Sequence, residues 1–408
     1  MFCGDSLFLA ALTIIGNNDP MGLMKPNIKP EEYRGSVMSN TSKQELRNLI
    51  TSRLEDSLSN DVDEQKPYIE TLGDRLANAG VSRRTFMKYC LGMSAMMAIP
   101  TGMMPKLVEA ALLSPVTSVV YLSFQECTGC LESLVNVFPN SRYRTDSIEN
   151  IILTALSLDY SETLMAPSGF HAEVSRKNAL AKPGYILVVD GAIPNDVNGA
   201  GFFIQSGKTG LQLLKEAAKN AALVVSVGTC ASFGGLPAAK GINGLSPTGA
   251  ISIKAAIDKF ASTDRAYKKT VINVSGCPPI AEVIAGTLVY WLINKKSPEL
   301  DSVQRPKMFY GETVHEECYR KDFFEDRKFV NSFDDAGARK GYCLLNMGCK
   351  GPVTHNACST LRWNQGTGFP MESGHGCLGC SEPNFWDKEA SPGQVGFYKP
   401  LDRSRIHD

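Results

Sequence analysis

The sequence has no excess charge of either sign and no long apolar run. Its 408 residues include 42 basic and 42 acidic side chains, so the formal net charge is zero. This balance gives no argument for a nucleic-acid partner, which would need a basic surface, or for a disordered acidic tail. No stretch of roughly 18 apolar residues occurs, and a membrane-spanning helix would need one. We therefore expect no transmembrane helix in this chain.

Cysteine, in contrast, is abundant. The chain has twelve cysteines, of which Cys3 and Cys90 lie in the N-terminal region and the other ten lie between Cys127 and Cys380. Disulfides, zinc sites and iron–sulfur clusters all use cysteine in numbers, and composition does not choose between them. The length, with 43% hydrophobic residues, is typical of a globular protein of two domains with extensions.

The segment Ser-Arg-Arg-Thr-Phe-Met-Lys, which begins at Ser82, has the pattern of a twin-arginine export signal. The apolar run over 89–99 is too short for a bilayer, which takes roughly 20 apolar residues, but it suits the core of a signal peptide. We predict a signal peptide over 81–110, cleaved after Ala110, and a periplasmic location. The alternative is an ordinary helix start with two surface arginines.

Residues 1–80 precede this signal, although an export signal normally begins close to the first residue. Either the start is assigned too early, with Met38 a better candidate, or the chain has a cytoplasmic extension. The extension over 1–80 and the signal peptide are both left out of the fold prediction.

Four short apolar segments predict the strands of a parallel sheet. They are rich in β-branched residues and lie at 116–124, 186–189, 223–227 and 270–274. Near-continuous apolar runs are typical of strands that are covered on both faces, and the stretch 210–222 has helical spacing. The alternation of strand and helix predicts a doubly wound, flavodoxin-like α/β domain over 115–294.

Four cysteines follow soon after predicted strands. Cys127 and Cys130 come after the first strand, Cys230 after the third and Cys277 after the fourth. The carboxyl ends of parallel strands meet at one edge of a sheet, where ligands bind. The sequence therefore predicts a four-thiolate site at this edge, where nearby glycines let the backbone approach closely. The alternative is a thiol–disulfide redox pair of the first two, with the others as buried free thiols.

The C-terminal third, over 295–408, has no clear hydrophobic periodicity and few apolar runs. We therefore expect an irregular domain that depends on metal sites or disulfides for its stability. Its metal-ligating side chains form a group of four and a group of three: His315, Cys318, Cys343 and Cys349, then Cys358, Cys377 and Cys380. Iron–sulfur clusters use such ligands, a structural zinc site accepts three cysteines and a histidine, and disulfides suit an exported chain. Twin-arginine export favours a cofactor inserted before export.

Three function classes are open from the residues alone. They are an iron–sulfur protein, a zinc-stabilised binding protein on a flavodoxin-like base, and a thiol–disulfide oxidoreductase. The order of the motifs narrows this choice, because it resembles the small subunit of nickel–iron hydrogenases over residues 115–400. The motifs are ECTGC at 126–130, GTC at 228–230, SGCPP at 275–279, HEEC at 315–318, GCKGP at 348–352 and GCLGCSEP at 376–383.

The resemblance implies two [4Fe–4S] clusters and one [3Fe–4S] cluster. Their ligands would form three sets: proximal [4Fe–4S], Cys127, Cys130, Cys230 and Cys277; distal [4Fe–4S], His315, Cys318, Cys343 and Cys349; medial [3Fe–4S], Cys358, Cys377 and Cys380. The nickel–iron centre would lie in a separate large subunit, so this chain would form a heterodimer and be inactive alone. A cytochrome or other redox partner would dock near the distal cluster.

Further implications of the resemblance concern single positions. Glu126 is a candidate for hydrogen bonding or proton handling at the subunit interface, with an ordinary loop carboxylate as the alternative. Oxygen-tolerant relatives carry two more cysteines at positions matching Gly129 and Gly235, so we expect a four-cysteine proximal cluster and oxygen-sensitive activity. Membrane-bound relatives end in an anchor helix, whereas residues 397–402 read FYKPLD. We expect a soluble periplasmic complex or one that docks onto another membrane subunit.

Overall fold

A five-stranded parallel sheet lies at the centre of the part of the chain that the structure describes. This computed structural model describes residues 70–78, 80–96, 103–136, 156–240, 244–364, 366–387, 389–391, 394–395 and 401. In chain order the strands are β1 Thr117–Ser123, β2 Leu156–Ser161, β3 Ile186–Asp190, β4 Ile204–Gln205, β5 Lys208–Thr209, β6 Leu223–Val227, β7 Val271–Val274, β8 Glu389–Ser391 and β9 Gln394–Val395. Cys3, Met38 and most of the predicted extension lie outside the described residues, as do 97–99 and 397–400.

The order across the sheet is β2-β1-β3-β6-β7, and each neighbouring pair is parallel. This is the strand order of flavodoxin-like folds, which confirms the predicted fold class. Strands β3 and β6 are buried along their whole length, as expected from their continuous apolar runs. The prediction missed β2, an edge strand whose register with β1 shifts between Val119 and Val120.

Helices cover both faces of the sheet. In chain order they are α1 Leu72–Asn78, α2 Arg83–Met96, α3 Met104–Leu112, α4 Gly129–Val135, α5 Gly169–Ala181, α6 Gly210–Asn220, α7 Gly228–Phe233, α8 Ile253–Ala261, α9 Ala281–Asn294, α10 Lys307–Tyr310, α11 Lys321–Glu325 and α12 Ala336–Arg339. Thr209 and Gln212 form a capping box that starts α6, the helix predicted over 210–222. Across the described ranges no helix has the length and apolar character needed to cross a membrane.

The chain after α9 has little regular structure, in agreement with the predicted irregular domain. It contains three short α-helices and three turns of 3₁₀ helix among the described residues. Phe309, Tyr310 and Phe369 are buried in the same apolar cluster as α9. Buried Arg305 links this part internally, because its guanidinium donates to Asp301 and Glu382, both at 2.8 Å.

The N-terminal helices α1 to α3 pack on the fold, although the sequence-based prediction left these residues out of it. Phe86, Met104 and Val108 are buried in the apolar cluster that contains α9, and α3 packs directly against α9. The amide of Leu72 donates to the carbonyl oxygen of Ser114 at 2.9 Å. The two arginines of the predicted export signal are exposed at the start of α2.

Candidate metal centres

The first group of cysteines meets at the carboxyl edge of the sheet. Cys127 and Cys130 lie at the start of α4, Cys230 lies in α7 directly after β6, and Cys277 follows β7. Burial raises the pKa of the Cys130 thiol, and the nearby Asp190 carboxylate and the thiols of the other three cysteines raise it further. Burial likewise raises the pKa of Cys230 to about 12. Metal cations would offset this cost of holding thiolates away from water.

Glycines allow the backbone to pass against these sulfurs. A Cβ added to Gly228, whose φ is +88°, would lie 2.3 Å from the Cys130 sulfur. One added to Gly235, whose φ is +55°, would lie 2.5 Å from the Cys230 sulfur. A Cβ at Gly129 would lie 3.4 Å from the Cys127 sulfur, which is an ordinary contact. The close backbone approach predicted from the sequence is therefore tightest around α7.

The second group lines a single cavity in the C-terminal part. His315, Cys318, Cys343 and Cys349 face it together with apolar side chains, among them those of Leu344 and Met371. Burial lowers the pKa of His315, whose ring packs edge-on against Phe324 at 4.6 Å between centroids. A neutral imidazole is the form that binds a metal.

The third group consists of two buried cysteines, Cys358 and Cys377, and the partly buried Cys380. Burial raises the pKa of Cys358 and of Cys380 to about 12, and each group member also raises the pKa of another member. The indole nitrogen of Trp363 donates to the Cys358 sulfur at 3.3 Å, and the Gly379 amide donates to the Cys377 sulfur at 3.4 Å. Such donors stabilise a thiolate without occupying a metal-binding position.

The geometry of the three groups bears on the alternatives left by the sequence. None of the eleven described cysteines is bonded to another, so the described chain has no disulfide among them. Within the same residues, no three His, Cys, Asp or Glu side chains converge closely enough to hold a single ion. A zinc ion would draw sulfurs to about 2.3 Å from one centre.

Two carboxylates lie close to the first group. Glu126 is partly buried, which raises its pKa, and its Oε2 has no hydrogen-bond partner among the described residues. Asp190, at the end of β3, is fully buried, and burial raises its pKa to about 7. Sequence reasoning missed Asp190, although an acidic residue at the end of the apolar run Ile-Leu-Val-Val was a usable signal, because a charged group is rarely buried there without a reason.

Comparison with known proteins gives two matching family models. The model for the C-terminal part of the NiFe/NiFeSe hydrogenase small subunit matches residues 310–392. The model described as "NADH ubiquinone oxidoreductase, 20 Kd subunit" matches residues 127–291. The boundary between the two matches agrees with the division between the sheet domain and the irregular C-terminal part.

Similar proteins cover most of the chain. The uptake hydrogenase small subunit of Azotobacter vinelandii is 43% identical over 322 residues, which are 78% of this chain and 84% of that relative. The hydrogenase-1 small chain of Escherichia coli is 41% identical over 321 residues, 78% of this chain and 81% of the relative. The solved structure of the NiFeSe hydrogenase of Desulfovibrio vulgaris Hildenborough has a TM-score of 0.59 at 32% identity, over 69% of this chain and 97% of that one.

Sequence identity and fold agree with the order of the ligand motifs. The relatives are at least 41% identical over more than three quarters of the chain. The function implied by this similarity is electron transfer through iron–sulfur clusters, in a heterodimer whose large subunit holds the nickel–iron centre. The chain belongs to the small subunits of nickel–iron hydrogenases.

Proposed function

We propose that this chain carries electrons between the hydrogen-splitting centre and an external redox partner through three clusters of defined type. A proximal [4Fe–4S] cluster would be held by Cys127, Cys130, Cys230 and Cys277, a distal [4Fe–4S] cluster by His315, Cys318, Cys343 and Cys349, and a medial [3Fe–4S] cluster by Cys358, Cys377 and Cys380. The observation that carries this proposal is the cavity lined by His315, Cys318, Cys343 and Cys349, with the other seven proposed ligands lying outside its lining.

The number and type of donors in each group support the cluster types. Iron–sulfur clusters bind cysteine thiolates, occasionally histidine, and transfer one electron at a time when bound. The medial group offers only three thiolates, which suits a cluster that lacks one iron corner. His315 replaces an anionic ligand with a neutral one, and this raises the potential of the distal site. Its ring is half-buried, as expected for a site near the surface.

Metal analysis of the anaerobically purified complex tests the cluster content. We expect about eleven irons per heterodimer from this subunit, with matching acid-labile sulfide. Electron paramagnetic resonance of the oxidised complex should show a [3Fe–4S] signal. Cys377→Ala should abolish the signal, whereas Thr287→Val, at a buried residue of α9 outside the three groups, should leave it unchanged. Zinc in place of iron, or a signal that survives Cys377→Ala, would contradict the proposal.

We also propose that the proximal cluster has no further protein ligands and that the enzyme is oxygen-sensitive. The two positions that resemble extra-ligand positions of oxygen-tolerant relatives hold Gly129 and Gly235. At Gly235 a side chain would also meet the Cα atom of Cys230 at 2.5 Å. Hydrogen oxidation should be lost on sustained exposure to air, and undiminished aerobic turnover would refute this part of the proposal.

A further inference from the structure

The ligand loops of adjacent groups contact each other through backbone amides and sulfurs. The Ser275 hydroxyl donates to the carbonyl oxygen of Ser381 at 2.7 Å, which places the Cys277 loop against the Cys380 loop. There the backbone N–H of Cys277 hydrogen-bonds to the Cys380 sulfur. The backbone N–H of Cys377 donates to the sulfur of Cys349 at 3.3 Å. The amide of a proximal-group cysteine thus faces a medial-group sulfur, and the amide of a medial-group cysteine faces a distal-group sulfur.

The first of these contacts is held by one buried hydroxyl. The Thr229 side chain, next to Cys230, donates to the carbonyl oxygen of Cys380 and accepts from the Gly276 amide at 2.9 Å. The Thr229 amide also donates to the Gly276 carbonyl oxygen at 2.9 Å. Thr229 is 1% exposed, so water does not replace these bonds. A single side chain therefore joins the two proximal loops to the medial loop.

Further buried hydrogen bonds hold the Cys277 loop and the Cys380 loop together. The Ser275 hydroxyl donates to the carbonyl oxygen of Ser381 at 2.7 Å, and the Tyr310 hydroxyl donates to the carbonyl oxygen of Ser275 at 2.7 Å. The Arg305 guanidinium also donates to the Ser381 carbonyl oxygen, at 3.1 Å, and lies over the Tyr310 ring. These side chains are all buried and belong to none of the three ligand groups.

We infer that Thr229 is a positioning residue for electron transfer: its hydroxyl holds the Cys277 amide against the Cys380 sulfur and so couples the proximal and medial clusters. This inference rests on the proposed cluster assignment. A hydrogen bond to a ligand sulfur raises the potential of the cluster that the sulfur binds. The hydroxyl therefore affects both the path between the two clusters and the potential of the medial one.

The test compares Thr229→Val, which removes the hydroxyl at nearly constant volume, with Thr229→Ser, which keeps it. Thr287→Val is the matched control, because Thr287 is equally buried and its hydroxyl donates within α9, to the Val283 carbonyl oxygen. Each holoenzyme is oxidised, and pulsed electron paramagnetic resonance measures the coupling of an amide nitrogen to the [3Fe–4S] signal. Redox titration of the same signal gives the medial midpoint potential.

We expect Thr229→Val to lose most of the nitrogen coupling and to lower the midpoint potential, while Thr229→Ser and Thr287→Val resemble the parent. Dye reduction by hydrogen should fall several-fold in Thr229→Val relative to hydrogen–deuterium exchange, which the nickel–iron centre performs without the relay. Parent-like coupling and potential in a Thr229→Val complex with full iron content would overturn the inference.

If Thr229→Val loses iron, Tyr310→Phe provides the second test, because it removes the bond to the Ser275 carbonyl and keeps the ring. It should shift the medial potential in the same direction, and an unchanged potential would overturn the inference. These outcomes are distinct from failure of the proposed function, since in that case the parent complex itself would lack the [3Fe–4S] signal.

Discussion

The Tyr121 hydroxyl donates a hydrogen bond to Oδ2 of Asp190 at 3.0 Å, between the neighbouring strands β1 and β3. Both side chains are fully buried beneath the proximal group. Oδ1 of Asp190 has no hydrogen-bond partner among the described residues. Burial is the main cause that raises the pKa of this carboxyl from 3.8 to about 7.

This raised pKa predicts a pH dependence of stability. The folded protein binds a proton at Asp190 more tightly than the unfolded chain does, so stability falls as the pH rises from about 4 to about 7. The full effect is on the order of 4 kcal/mol. Asp190→Asn should reduce the loss of thermal stability between about pH 5 and about pH 8. Asp258→Asn, at an exposed carboxylate, is the control and should keep the parent's pH dependence. Equal pH profiles for the parent and Asp190→Asn would contradict the prediction.

The buried ion pairs of Arg305 predict a large loss of stability when its charge is removed. It is buried between Asp301 and Glu382, and Arg305→Met would leave those carboxylates without their cation. Breaking a buried ion pair in this way costs about 3–5 kcal/mol. Lys254→Met, which removes an exposed pair with Asp258, should cost about 0.5 kcal/mol or less. Chemical denaturation of both variants measures the difference, and similar losses would argue against a structural role for the buried network.

Gly228 predicts a specific loss of cluster binding. Gly228→Ala would place a methyl group 2.3 Å from the Cys130 sulfur, in a backbone conformation with φ of +88°. We expect the proximal cluster to be lost, which metal analysis would measure as a decrease of about four irons per heterodimer. Gly207→Ala is matched for backbone strain, since Gly207 has φ of +75°, but a Cβ there would meet no atom within 4 Å. It should keep its iron and lose only about 1–2 kcal/mol of stability. Full iron content in Gly228→Ala would contradict the prediction, because it would show that the loop can shift to accommodate the methyl group.

The predicted export signal can be tested by conservative substitution of both arginines. Changing Arg83 and Arg84 to Lys keeps the charge but removes the planar guanidinium groups. We expect the hydrogenase to accumulate in the cytoplasm with its clusters bound, as measured by cell fractionation. Arg75→Lys, in α1 outside the signal, should leave the distribution unchanged. Normal export of the double variant would place the signal elsewhere.

The sheet and its ligand edge could be predicted because their patterns are local. The runs that form β3 and β6 are continuously apolar, and Cys230 and Cys277 follow strands closely. Strand β2 could not be found in this way, since its sequence Leu-Ser-Leu-Asp-Tyr-Ser mixes polar with apolar residues at the sheet edge.

The division of the C-terminal ligands depends on tertiary contacts instead. Cys349 and Cys377 are 28 residues apart, yet the amide of one bonds the sulfur of the other. Spacing alone does not reveal such a contact, and only the family resemblance separated the two groups. The role of Thr229 was equally hidden, because its bonded partner Cys380 is 151 residues away.

The packing of α1 to α3 against the fold has a consequence for maturation. If the chain is cut after Ala110, which is exposed within α3, the buried side chains of Phe86, Met104 and Val108 leave together. Cleavage would expose the apolar face of α9 that these side chains cover. Another polypeptide could then bind this face only after export. The precursor and its cleaved product would therefore differ in exposed apolar surface as well as in length. Binding of a hydrophobic dye to the two forms would measure this difference.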